Sequence, residues 1–403
     1  MRRGFRLLAS WCLASALRLP SLHAQQPTYF AELIFPPERW HNHSSSLVQA
    51  PNGDLIVCWY HGSGERNADD VLILGSRKAV GTDQWETPFV MADVPCFPDC
   101  NPVLFIDVRG RLWLFWVVIY SNQWESALLK YRWAEEYTAP GPPKWRWQDV
   151  IMLDPLNFVD KLREGVEWFR ATIEQYPGAK EEVRQALQLA EHKLARRLGW
   201  MTRTHPLTLP SGRILLPLYT DAFSVGLVAV SDDTGRTWRA SEPIVGVGGI
   251  QPSIVRRRDG VLVAFMRDNG PQHRIQYAES RDDGIHWSPV QFLDLVNPGS
   301  SVEVIALRSG NWLMVCNDTE RGRHSLVAML SEDEGRSWRW QRHLELVEPG
   351  KGSFSYPSLI QTRDGLIHVT YSYHPPEGES IKHVVFDEAW VMQGDPGPSE
   401  ERR

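Results

Sequence analysis

A short pattern recurs six times along the chain: a turn closed by glycine, then an apolar run of strand character. The copies are NGDLIVCWY at 52–60, RGRLWLFWV at 109–117, SGRILLPLY at 211–219, DGVLVAFMR at 259–267, SGNWLMVCN at 309–317 and DGLIHVTYS at 364–372. Each follows another apolar run, so each reads as an antiparallel hairpin whose turn glycine tolerates a positive φ. These glycines (Gly53, Gly110, Gly212, Gly260, Gly310 and Gly365) lie about 50 residues apart, except between Gly110 and Gly212, where about 50 residues are added. A period of this length means one supersecondary unit used repeatedly, each burying its apolar face on the next.

The surplus has a visible source in residues 156–198. Phe158, Leu162, Val166, Phe169, Ile173 and Tyr176 follow a three-or-four spacing, as do Val183, Leu187, Ala190, Leu194 and Leu198. Pro177-Gly178 separates the two runs. The pattern predicts two amphipathic helices joined by a tight turn, packed on the outside of a β scaffold.

A second motif recurs after the hairpins. Ser231-Asp232-Asp233-Thr234-Gly235-Arg236-Thr237-Trp238 is matched at Ser280 to Trp287 and at Ser331 to Trp338, in the form S-x-D-x-G-x-x-W. In such a turn the Asp accepts from backbone N–H groups, the Gly takes a positive φ and the Trp covers the loop. Ser76 to Trp85 is a weaker relative.

With these residues the sequence resembles the Asp-box, or BNR-repeat, proteins of the sialidase-like superfamily, over about 40–390. The resemblance is to a divergent bacterial branch, because His43-Ser44-Ser45 stands where the family carries an Arg-Ile-Pro signature. It implies an all-β fold, a six-bladed β-propeller over residues 27–393 with the helical hairpin inserted at 156–198. The Asp boxes are then structural rim turns, and the ligand pocket lies where the innermost strands converge on the axis.

Residues ahead of the turn glycines should open those strands. Asn101, Gln251 and Tyr356 each precede a proline, and His205-Pro206 plays the same part in the third unit. Glu303 opens the fifth and His41-Asn42-His43-Ser44-Ser45 the first. Polar heads on apolar strands are costly to bury without a task, and a ring of them suits a polar axial pocket.

The resemblance implies roles. Sialidases clamp a sugar carboxylate with arginines, use a Tyr nucleophile assisted by a Glu, and use an Asp as acid/base; bidentate guanidinium suits a carboxylate. Carried onto this sequence, Arg267 and Arg323 hold the carboxylate, with Arg203 or Arg66 as a third cation, and Tyr356 is the nucleophile. Gln251 replaces the family's Glu, so Glu303 is the expected base, and Asp69 or Asp70 in GSGERNADDV the expected acid. His43, His205, Gln251 and Asn101 are expected to line the substrate. No metal or cofactor is expected. Trp40 and Trp124 fall near the expected pocket loops and suit sugar stacking.

The expected function is a secreted exo-acting glycoside hydrolase releasing a terminal acidic sugar, sialic acid or a related carboxylated sugar, from a glycan. A uronate polysaccharide lyase using Tyr and His, and a non-catalytic carbohydrate-binding propeller, are the alternatives. Composition narrows the field: net charge −6 and no run of five basic residues argue against a nucleic-acid partner. The opening MRRGFRLLASWCLASALRLPSLHA has the basic start, apolar stretch and small final residue of a signal peptide over 1–24. That implies a secreted or periplasmic location without a membrane span in the mature chain; 394–403 reads as a disordered tail. In an oxidising compartment Cys96 and Cys100, flanking Phe97-Pro98-Asp99, could close a small disulfide loop. Cys58 and Cys316, inside apolar runs, read as buried thiols. The 18 Trp are then largely a repeat signature.

Overall fold

A computed structural model describes residues 27–396. The expected signal peptide lies outside the described residues, as does most of the expected tail. Six antiparallel sheets follow one another around an axis. The first blade comprises His41–Gln49, Leu55–Gly62, Leu72–Lys78 and Phe89–Ala92. The second comprises Asp99–Ile106, Leu112–Ile119, Ala127–Glu136 and Lys144–Val150. The third is built on Ile214–Thr220 and Val225–Ser231, with short edge pieces at Met201–Thr202, Leu207–Thr208 and Arg239–Ala240. Gly249–Arg256, Leu262–Asp268, Arg274–Ser280 and Gln291–Val296 make the fourth, and Glu303–Ala306, Trp312–Cys316, Ser325–Ser331 and Trp340–Leu346 the fifth. In the sixth, Ser353–Gln361, Ile367–His374 and Ser380–Phe386 are joined by Tyr29–Leu33, which pairs Tyr29 with Phe386. The earliest described strand thus closes the last blade, and the ring needs no free seam.

Large aromatics fill the spaces within and between blades. Trp59, Trp113, Trp116 and Trp312 are all at most 1% exposed. The Asp-box turns form as expected. Asp333 Oδ1 accepts from Ser331 Oγ at 2.8 Å and from Ser337 N at 2.8 Å, and Gly335 N donates to Ser331 Oγ at 2.8 Å. The same bonds recur around Asp233 and Asp282. The box tryptophans reach the preceding blade: Trp238 meets Phe115 edge-on at 5.9 Å and Trp338 meets Phe265 at 6.0 Å. Gly235 sits so close to Trp113 that a Cβ would lie 2.4 Å from the indole. The boxes are therefore inter-blade fasteners as well as turns.

The insertion is a helical hairpin, with one refinement. Phe158–Trp168 and Ala179–Ala190 are the main helices, and each is followed by a short separate turn, Arg170–Ile173 and Lys193–Arg197. Pro177-Gly178 makes the bend, with Gly178 at φ 87°. The hairpin is pinned to the third blade at its base. Gly165 packs so tightly that a Cβ would meet Val245 at 2.2 Å, Phe158 meets Phe223 at 4.9 Å, and Lys161 pairs with Glu242 at 3.2 Å.

The Cys96–Cys100 bridge, which the sequence leaves open, is not formed. Cys96 is exposed, Cys100 is buried, and among the described residues all four cysteines are free. Residues 94 and 97 close a tight backbone bridge, and Asp99 holds the turn by accepting from Val94 N at 2.6 Å. Cys58 and Cys316 are buried, as expected. Among the described residues, no helix is long and apolar enough to cross a membrane.

Candidate functional site

The inner strands carry a repeated distortion that aims their heads at the axis. Ser44, Asn101, Gln251 and Tyr356 occupy equivalent places in blades one, two, four and six, with φ of 57°, 50°, 58° and 58°. At each the register slips against the neighbouring strand, between His43 and Ser46, Cys100 and Val103, Ile250 and Ser253, and Ser355 and Ser358. These are β-bulges with a left-handed residue, a conformation that costs non-glycine residues energy and collects at functional sites. The following proline at 102, 252 and 357 removes a donor where the ladder is already broken. Local sequence thus sets the ring of polar heads.

Tyr356 stands at the centre. Its hydroxyl oxygen accepts from Arg267 Nη1 at 2.8 Å and from Gln251 Nε2 at 3.2 Å. The guanidinium carbons of Arg203 and Arg323 lie 4.8 Å and 5.3 Å from its ring centroid. The His43 ring packs on it at 4.3 Å. Burial alone would raise this phenol's pKa, but the Arg267 and Arg323 charges and the Gln251 hydrogen bond outweigh it, and the net shift is downward. His43 is lowered too, but from burial first, then His374, Arg323, His41 and Arg203, which press its pKa well below the ordinary value and leave a neutral imidazole. One of its nitrogens, Nδ1, is buried without a hydrogen-bond partner.

The arginines differ in what they can do. Arg267 reaches Tyr356 with one nitrogen and Asn269 Oδ1 with the other, at 2.8 Å. Arg323 is loosely held, at 3.4 Å from both Ser355 Oγ and the Gly299 carbonyl. Arg203 is 2% exposed and donates to the Pro357 carbonyl at 2.7 Å, under the ring. Arg66 lies on the outer loop, 3.5 Å from Glu65 and over the Trp124 ring at 5.2 Å. Arg267, Arg323 and Arg203 therefore converge on one phenol, while Arg66 belongs to the rim with Trp124. Trp40, also on the rim, is 41% exposed and lies beside His61.

Glu303 and His205 come together, but not on Tyr356. Glu303 Oε1 accepts from His205 Nδ1 at 2.7 Å and from His205 N at 2.9 Å, and Oε2 accepts from Leu359 N at 3.1 Å. His205 Nε2 lies 2.9 Å from the Leu47 carbonyl. Blades one, three, five and six are thus tied at the axis through one ion pair. Burial pushes the His205 pKa down, but Glu303 and the Leu47 carbonyl raise it on balance; Glu303 is lowered in spite of burial by His205 and Arg203. Among the described residues, Arg267 and Gln251 are the hydrogen-bond partners of the Tyr356 hydroxyl. The base expected in Glu303 is committed elsewhere. Asn101 donates to Tyr219 Oη at 3.1 Å and so lines the neighbouring wall.

Asp69 and Asp70 lie on the exposed loop of the first blade. Asp69 accepts from Asn122 at 2.8 Å and Asp70 from Ser63 Oγ at 2.8 Å. Two other carboxyls sit closer to the cationic centre. Glu65 accepts from Tyr60 Oη at 2.6 Å and faces His41, whose other side pairs with Glu379 at 2.9 Å. Those two carboxylates overcome burial and raise His41 to about 9. Asp221 follows the strand Ile214–Thr220; burial raises its pKa, opposed by Arg267 and helped by Glu125 and Glu65. Sequence reasoning overlooked Asp221 and His374. The available signal was the one that singles out Arg267, a polar residue at the end of a blade's second strand.

The comparisons agree with this architecture. The BNR repeat-like domain family matches residues 184–369. A sialidase of Micromonospora viridifaciens is 30% identical over 171 residues, 40% of this chain and 25% of that protein. The chain therefore spans about a quarter of that relative's length. Among solved structures, a protein of unknown function from Dyadobacter fermentans superposes with a TM-score of 0.66 at 14% identity, covering 89% of this chain and 97% of that one. The leech intramolecular trans-sialidase gives 0.66 at 13%, covering 90% and 71%. NanB sialidase of Streptococcus pneumoniae gives 0.64 at 13%, with the same coverage. The repeat, the closed six-bladed ring and the Asp boxes define an Asp-box propeller. Residues 184–369 are similar to the BNR repeat-like domain family, and the fold is that of the sialidase propellers.

Proposed function

We propose that the protein is an exported exo-acting glycoside hydrolase that releases a terminal acidic sugar, sialic acid or a related carboxylated sugar, with Tyr356 as nucleophile. The observation that carries this reading is the placement of the Tyr356 hydroxyl against Arg267, with Arg203 and Arg323 at its ring. Gln251, in the place expected for a Glu, cannot accept a proton from the phenol. Surrounding positive charge does that work instead, by favouring the phenolate.

The chemistry follows. The phenolate attacks the anomeric carbon as the bond to the leaving oxygen breaks, and that oxygen takes a proton from a carboxylic acid of the mouth. Asp221, held toward its neutral form by burial, suits the donor; Asp69 and Asp70 are its rivals on the first-blade loop. Water then adds to the same carbon and expels the phenolate, its proton returning to the carboxylate. Arg323, weakly engaged, and Arg267 are the groups available to the sugar carboxylate. Arg203 orients the ring from below.

The test is a panel of glycosides with different terminal acidic sugars, scored for released monosaccharide with wild type and Tyr356→Phe. Release by the wild type and its loss in the variant support the reading; full hydrolysis by the variant overturns it. A second reading, a lyase acting on polyuronides, draws on the neutral His43 packed on Tyr356, a base beside a phenol. Its product, an unsaturated uronate, absorbs in the ultraviolet where the hydrolase product does not.

A further inference from the structure

The helical insertion does more than cover the propeller. Pinned at its base by Gly165 against Val245, it is tethered again near its tip, where Gln272 Nε2 meets Tyr176 Oη at 3.4 Å. Between the two fastenings lies a hollow of about 660 Å³. Leu162, Val166, Phe169 and Val183 form its helical side, with Phe223 and Val247 opposite. Close-packed proteins do not leave space of this size idle, and the volume falls within the ~300–1,000 Å³ typical of small-molecule pockets. Glu182 is the one charged residue on its wall among the described residues, so the hollow has no cation to hold an acid.

Its position is informative. Asn269 lines the hollow and accepts from Arg267, whose other nitrogen donates to Tyr356. Ala222 lines it too, and the preceding residue is Asp221. One wall of the hollow therefore carries Asn269, which is bonded to the Arg267 guanidinium, and Ala222, the sequence neighbour of Asp221.

We infer that this hollow is an aglycone site, taking the neutral, apolar leaving group (an acyl-chain or aryl body) of a glycoside whose acidic sugar sits at the arginines. The inference rests on the hydrolase reading and narrows its substrate to amphipathic glycosides. It makes the insertion a specificity element.

The test separates binding from turnover. N-phenyl-1-naphthylamine, a neutral apolar fluorophore, is titrated into wild type, Val183→Trp and Ala186→Phe, two variants that fill the hollow from its helical side. Folding of each is checked by circular dichroism and thermal melting. Displacement of the fluorophore is then compared for the n-octyl and methyl glycosides of N-acetylneuraminic acid. The inference expects fluorophore binding by the wild type, a loss of at least about tenfold in a folded filling variant, and octyl displacing at least about tenfold better than methyl. Absence of fluorophore binding, or binding unchanged in both variants, overturns the site. Equal displacement by the two glycosides overturns the aglycone assignment. Failure to release sugar from either glycoside counts against the hydrolase reading alone, because displacement needs no turnover.

Discussion

Glu303→Gln is the substitution that separates an axial fastener from a catalytic base. The wild-type carboxylate, 2% exposed, faces three donors: His205 N, His205 Nδ1 and Leu359 N. A Gln offers one acceptor oxygen and one amide group. With its oxygen toward His205, its NH2 confronts the Leu359 N–H; turned over, it confronts His205. One buried donor left unpaired costs about 1–3 kcal/mol, and exchanging charge-assisted for neutral hydrogen bonds adds about 1 kcal/mol. The sum is about 2–4 kcal/mol. At ~2–4 °C per kcal/mol for 150–250 residues, and less in a longer chain, Tm should fall by about 3–8 °C. The pH dependence carries the sign. His205 is raised above its ordinary 6.5, so its contribution is complete below 6.5 and fades as pH climbs through the raised value. Glu303 is lowered from 4.5, so its contribution is complete above 4.5 and fades as pH falls through the lowered value. The gap in stability between wild type and variant should be widest between these two ordinary values and shrink on the alkaline side. Thermal melts across pH, with His205→Gln and the double variant completing a cycle, read it directly. A Glu303→Gln protein as stable as wild type near pH 6, yet inactive, would refute the fastener and restore Glu303 as a base.

Other expectations are simpler. Asp333→Ala removes the acceptor that closes a box turn and should cost about 0.5–2 kcal/mol by chemical denaturation, leaving turnover intact. Gly235→Ala should destabilise by about 1–3 kcal/mol or more, because its Cβ would lie 2.4 Å from Trp113 at a φ of +82°; a melt at wild-type temperature would contradict the inter-blade contact. Asp221→Asn should slow release of alkyl leaving groups by about 10²–10⁴ while sparing aryl ones that need no proton, and an equal loss for both would remove Asp221 as donor.

Much of the fold was legible because its signals are local. A turn glycine and an apolar run specify a hairpin wherever they occur, and the Asp-box bonds join residues no more than four apart. The insertion announced itself by a change of period from two to three or four. The strand heads were legible as a class for the same reason: Asn101, Gln251 and Tyr356 each precede a proline. What was not legible is who meets whom across the axis. Glu303 and Tyr356 are both strand heads, but Glu303 spends its oxygens on His205, 98 residues away, and on Leu359. Asp221 follows an ordinary apolar strand, and its environment comes from Arg267, Glu125, Arg66 and Glu65 on three other parts of the chain. The cysteine pair was open in the sequence, because short spacing allows a bond; the tight backbone turn leaves one thiol outside and the other inside.

In the proposed reaction Tyr356 bonds covalently to the sugar during turnover. A sialic acid carrying fluorine at the anomeric carbon and at the carbon beside it tests this most directly. Attack by Tyr356 expels the anomeric fluoride, and the second fluorine slows hydrolysis of the product. The predicted result is a stoichiometric mass increase by one fluorosugar, mapped to the peptide containing Phe354-Ser355-Tyr356-Pro357 and absent from Tyr356→Phe. An adduct on another residue, or undiminished labelling of Tyr356→Phe, would contradict it.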